Sequence, residues 1–135
     1  MKEIEIFTSS IIQKYSKYST PQLRIKAGEK FRAWIRKRDK GKRCISCGSW
    51  EPSDAGHFYS AGHYPSLEFN EDNVNIQCRQ CNYHKHSNAL EYRKSLVKKI
   101  GIERVERLDQ LADQYKRIVY KHDRFNLIMI IEKYK

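Results

Sequence analysis

No stretch of this chain is apolar enough to cross a bilayer. The longest unbroken apolar run is Leu127 to Ile131, against the roughly 20 residues that a spanning helix needs. No helical pattern pairs a clean Lys/Arg face with a Trp/Phe/Leu face, which argues against a membrane-surface helix. The opening residues, MKEIEIFTSS, lack a signal-peptide h-region and cleavage site, so the expected location is a reducing cytoplasm. There is no internal repeat and no low-complexity tract. At 135 residues the chain is expected to form a single domain, 1–135, that buries a core unaided. Acidic residues are scarce, with 16 Asp and Glu against 27 Lys and Arg and a net charge of +11. Such an excess points to a polyanionic partner, although a basic surface also serves solubility. Cysteine is scarce too: there are four, all between Cys44 and Cys81.

Three segments are expected. Residues 1–43 form a basic, helical segment, 44–100 a zinc-stapled finger, and 101–135 a pair of helices. Ile4, Ile6, Ile11, Ile12 and Tyr15 suit one face of a short helix within 3–17. Thr20 can cap a helix whose first residue is Pro21 and which stops near Gly41. Leu23, Ala27, Phe31, Trp34 and Ile35 would line its apolar face. Short strands are expected over 55–60 and 66–69, with Val74 to Gln77 leading into the second cysteine pair. A helix is expected from Asn82 to Ile100, ended by Gly101. Its apolar stripe would include Ala89, Leu90, Leu96, Val97 and Ile100. Another helix spans 102–121, and Asp123 can cap a last one to Tyr134.

The cysteines fall as Cys44-x-x-Cys47 and Cys78-x-x-Cys81. A two-residue spacer lets both thiolates of a pair reach one ion, and two such pairs in a cytosolic chain favour structural Zn²⁺ over disulfides. Free thiols and a redox pair are the alternatives. A polar set lies inside this framework: His57, Asn73, Asn82 and His86. Asn82 and His86 are one helical turn apart and can face one cation. Oxygen and imidazole donors with open positions suit Mg²⁺ or Mn²⁺ holding a phosphate. A neutral His57 opposite such a cation can deprotonate water.

Read together, Cys44-x-x-Cys47, Gly56-His57, Asn73-Val74 and Cys78-x-x-Cys81-Asn82 resemble the HNH, or His-Me finger, nucleases. Asn after the last cysteine also resembles phage endonuclease VII, a Holliday-junction resolvase. DAGHF, LEFNEDNV, QCRQCN and LEYRKSLVKKIGIERVERL resemble the phage NinG (Rap) recombination-protein family, over roughly residues 38–115. That resemblance implies an α+β fold, a ββα-metal finger embedded in a mainly helical domain. It implies a divalent-metal endonuclease acting on branched DNA, such as D-loops and Holliday junctions, encoded by a phage or prophage and acting in a bacterial host. His57 takes the place of the general base, Asn73 of the residue that pins the hairpin, and Asn82 of a metal ligand. Many members place an acidic or His ligand where this chain has Gly56, and Asp54, two residues earlier, is the expected substitute.

Arg36, Lys37, Arg38, Lys40, Lys42, Arg43, Arg79, Lys85, Arg93, Lys98 and Lys99 are the candidate phosphate contacts. They would read backbone and branch shape, since no base-reading helix is evident. A four-way junction needs two cuts, so a homodimer is expected. The rivals are a non-catalytic zinc ribbon that binds DNA structures, and an HNH nuclease that nicks or cuts without specificity.

Overall fold

The computed structural model describes residues 9–85, 88–116 and 118–135. They divide into two compact units, one formed by the described residues of 9–31 with 122–135 and the other by those of 32–121.

In the first unit, residues 9–14 are helical, and helix α1 begins at Thr20 and runs on to Arg38, its residues from Arg32 belonging to the second unit. The cap lies one residue earlier than expected. The Ser19 hydroxyl accepts from the Gln22 amide at 3.3 Å and the Gln22 side chain accepts from the Ser19 amide at 2.8 Å. This reciprocal pair satisfies two donors that a helix start leaves open. The closing helix, α4 (Arg124–Tyr134), starts as expected, with the Asp123 side chain accepting from the Asn126 amide. Leu23, Ala27, Phe31, Leu127, Ile128 and Ile131 are buried. Phe31 meets Tyr134 edge-on, with ring centroids 5.0 Å apart.

The second unit is built around two short antiparallel strands, β1 (Asp54–His57) and β2 (Val74–Gln77). They pair Asp54 with Gln77 and His57 with Val74. The expected second strand over 66–69 is instead a tight helical turn at Pro65–Leu67 followed by loop. Pro65 cannot donate to a ladder, whereas it suits the start of a turn. The single helix expected from Asn82 is two pieces: a π-helical turn, Gln80–His84, and α2 (Ala89–Ile100). Asn88 between them takes a left-handed conformation. Gly101, at φ 89°, closes α2, and α3 follows over Ile102–Lys116, five residues shorter than expected.

Helices α2 and α3 pack with Leu67 through Tyr92, Leu96, Val105, Leu108 and Ala112. Tyr92, absent from the expected stripe, is fully buried, while Leu90 is exposed. The Tyr92 hydroxyl donates to the Gly56 carbonyl at 2.7 Å, so α2 grips β1 directly. The other anchor is Asp39, at the end of α1. It accepts from Arg38, from Lys99 at 2.9 Å and from the Ile76 amide at 3.0 Å. Burial would push the Asp39 carboxyl up, but these donors outweigh it and bring it down to about 2.

Candidate functional site

The chain approaches the first cysteine pair through a turn. The Gly48 amide reaches the Cys44 carbonyl at 2.9 Å, with Gly48 at φ 75°, and the Cys44 amide reaches the Ser49 carbonyl at 3.0 Å. The Ile45 amide donates to the Ile76 carbonyl at 3.0 Å, tying this turn to β2, which delivers Cys78. All four Sγ atoms lie within 4.8 Å of one another. Cys47 and Cys78 are 3.7 Å apart, close to the edge of about 3.8 Å that a tetrahedron of thiolates at about 2.3 Å from zinc requires. The Cys47 and Cys81 amides point at the Cys44 and Cys78 sulfurs at 3.5 and 3.4 Å, which favours thiolates. The donor set, the spacing and the amides fit zinc. Left as thiols the group is uneven: Ser49 draws Cys47 down to about 6, while burial pushes Cys81 up to about 12.

His57 ends β1, and its Nε2 lies 2.9 Å from the Glu68 carbonyl oxygen. A carbonyl only accepts, so Nε2 carries the proton and Nδ1 holds the lone pair. Burial lowers the His57 pKa and the Glu68 carbonyl partly opposes it, so the neutral ring is favoured. Asn73 fixes the loop that supplies this carbonyl. Its side chain accepts from the Tyr59 amide at 2.8 Å and donates to the Tyr59 and Leu67 carbonyls at 2.9 and 3.0 Å.

Asp54 opens β1. One carboxylate oxygen lies 3.3 Å from Arg79 and the other accepts from the Asn82 amide at 3.2 Å. Burial raises the Asp54 pKa, but the bonds from Asn82, Arg79 and Ser53 prevail and hold it below the usual carboxylate range. An open cleft of about 420 Å³ is lined by Asp54, His57, Arg79 and Asn82, together with Arg32, Arg36, Ala55 and Tyr83. The structure thus gathers Asp54, His57 and Asn82 on one cleft. Asn73 stands behind it, and His86 lies outside the described residues. Tyr83 carries no mark in the sequence, and Arg32 lies in the basic run of α1, outside the set of expected phosphate contacts. The four-residue step from Arg32 to Arg36 on α1 was the available signal.

Gly56 has a packing reason. A Cβ there would lie 1.9 Å from Gln77 Oε1 and 2.9 Å from Gln77 Cβ. The Gln77 side chain, fully buried and donating to Ser46 at 2.9 Å, leaves no room for a ligand at that position.

The set of expected phosphate contacts narrows. Arg38 and Lys99 are bound to Asp39, and Arg93 forms a two-pronged pair with Asp109 at 3.0 and 2.8 Å. Burying a carboxylate requires such partners, and this chain meets the need from its own cations. Arg36, Lys37, Lys40, Lys42, Arg43, Lys85 and Lys98 are exposed. Arg79 is exposed as well, although paired with Asp54.

Fold and site together define a mixed α+β protein with a small two-stranded sheet and a four-cysteine cluster that can hold zinc. Among the described residues, no helix is long and apolar enough to cross a membrane. The chain belongs to the family described as Bacteriophage Lambda NinG protein, whose family model matches residues 11–135. It is 40% identical over 86 residues to Protein ninG of Escherichia phage lambda, covering 62% of this chain and 42% of that protein. It is 41% identical over 87 residues to Protein ninG of Salmonella phage P22, covering 63% of this chain and 41% of that one. For Protein ninG of Escherichia phage 933W the identity is 38% over 86 residues. The matched stretch thus spans about two fifths of the length of these curated relatives. No solved structure matches the chain.

Proposed function

We propose that this chain is a metal-dependent endonuclease that hydrolyses phosphodiesters in branched DNA, with the ββα-metal arrangement of the His-Me finger. The observation that carries the reading is His57: its Nε2 is held by the Glu68 carbonyl at 2.9 Å, and the ring lines the cleft that Asp54 and Asn82 share. His57 Nδ1 takes a proton from the attacking water as the water oxygen bonds to phosphorus. The bond from phosphorus to the 3′ oxygen breaks, and solvent reprotonates that oxygen. Asp54 and the Asn82 side-chain oxygen would hold Mg²⁺ or Mn²⁺, which when bound stabilises charge developing on the phosphate and leaving oxygen. Asn73 keeps the Tyr59–Leu67 loop, and with it the Glu68 carbonyl, in place. Arg32 and Arg36 meet the phosphate backbone, which they can do without reading bases. The chain acts in the host cytoplasm, as a homodimer that places two fingers for two cuts.

The Arg79–Asp54 ion pair favours a second reading, a zinc module that binds DNA branches without cutting, because Arg79 already occupies the carboxylate. A gel assay separates the two. Four-way, flap, single-stranded and duplex DNA are incubated with Mg²⁺, Mn²⁺ or no divalent ion, using the wild type and His57→Ala. Metal-dependent cutting of branched DNA that His57→Ala loses, with binding intact, supports the nuclease. Binding without cutting under every condition selects the second reading.

A further inference from the structure

A second cleft, of about 330 Å³, lies beside the first, between the end of α1 and the segment leading to β1. Arg36, Lys40, Lys42, Trp50, Glu51 and Pro52 are among its lining residues, with Asp39 and Ile76. Trp50 is 67% exposed, so its ring is accessible to a partner. The Arg43 guanidinium stacks 3.7 Å from the Trp50 ring centroid; Trp50 lines the cleft and Arg43 does not. The backbone beside the ring is tied to the cysteine turn. Ser49, its neighbour, is bonded to the Cys44 amide within the cysteine turn, and Glu51 takes a left-handed φ of 57°.

The charge around this ring is positive. Asp39 is neutralised by Arg38 and Lys99, with Lys42 at 3.8 Å, and Glu51 is the other acid lining the cleft with Arg36, Lys40 and Lys42. An aromatic face ringed by cations matches a planar base flanked by phosphates better than it matches a bare anion. Arg36 lines both clefts, so the two share a cation.

We propose that this cleft takes an unpaired DNA base, stacked on Trp50, with the adjoining phosphates held by Arg36, Lys40 and Lys42. The inference deepens the nuclease reading by naming what it grips at a branch: a nucleotide freed from pairing. The test uses the full zinc-loaded chain without added divalent ion. In a Trp34→Phe background, Trp50 is the remaining tryptophan. Its fluorescence is followed during titration with oligothymidylate of about 15 nucleotides and with duplex of similar length. Quenching by the single strand but not the duplex is expected. Trp50→Ala should weaken single-strand binding at least about fivefold, and Trp50→Tyr should restore most of it. Unchanged fluorescence, unchanged single-strand binding by Trp50→Ala, or equal loss on both DNAs overturns the proposal. Because the readout is binding, a chain that stacks this base yet never cuts would overturn only the nuclease reading. Junction cutting with a silent Trp50 would do the reverse.

Discussion

Asn82 donates its side-chain amide to Asp54 across 28 residues of sequence, at 3.2 Å, and so joins the π-helical turn to the start of β1. If this pair is where a divalent ion sits, Asp54→Asn should abolish calorimetric Mn²⁺ binding while leaving the zinc content unchanged. Retained Mn²⁺ affinity would remove Asp54 from the ligand set.

If His57 is the general base of the proposed reaction, it sets the acid limb of activity. Burial lowers its pKa, so the neutral base should persist below the ordinary histidine value of about 6.5 before cutting falls. Stability follows the same sign. Near that value the unfolded chain binds more protons than the folded one, so the His57 contribution is present above about 6.5 and is lost as pH falls through the depressed folded value. His57→Ala should cut about 10²- to 10⁴-fold more slowly. A pH profile of single-turnover cutting with its acid limb above the ordinary value would count against this role.

The cysteine cluster should bind one zinc per chain. Removing the ion from such a site forfeits roughly 10–16 kcal/mol of folding free energy. Cys44→Ser or Cys81→Ser, both at buried positions, should therefore lose zinc by elemental analysis together with the cooperative thermal transition. A metal-free protein with an unchanged transition would contradict this.

Gly56→Ala should destabilise by about 1–3 kcal/mol, because its methyl overlaps Gln77. Adding Gln77→Ala should recover part of that loss, giving a non-additive cycle in urea denaturation. Strict additivity would mean that the two residues do not oppose each other.

What was legible in the sequence was local. The cysteine spacing, the Asp123 cap and the Gly101 stop depend on residues within a few positions of one another. β2 was hidden because Val74-Asn75-Ile76-Gln77, although it alternates apolar and polar, is only four residues long and buries both sets. Asn75 and Gln77 are buried and bonded to Lys99 and Ser46, which no local pattern connects to them. Tyr92 escaped the expected stripe for a related reason: its hydroxyl is answered by Gly56, 36 residues away. The break between Asn82 and Ala89 depends on a wide turn in which the Lys85 amide reaches Gln80, a geometry with no compositional mark. Of the site, Asp54, His57 and Asn82 could be named from the chain, but their sharing of one cleft with Arg32 and Tyr83 is tertiary.

Cys81 and Asn82 are consecutive, and one peptide link separates the thiolate knot from the Asn82–Asp54 pair. No slack lies between them. Loosening the knot would let the π-helical turn drift and carry the amide off its carboxylate, so zinc supply would act as an upstream condition on everything the cleft does.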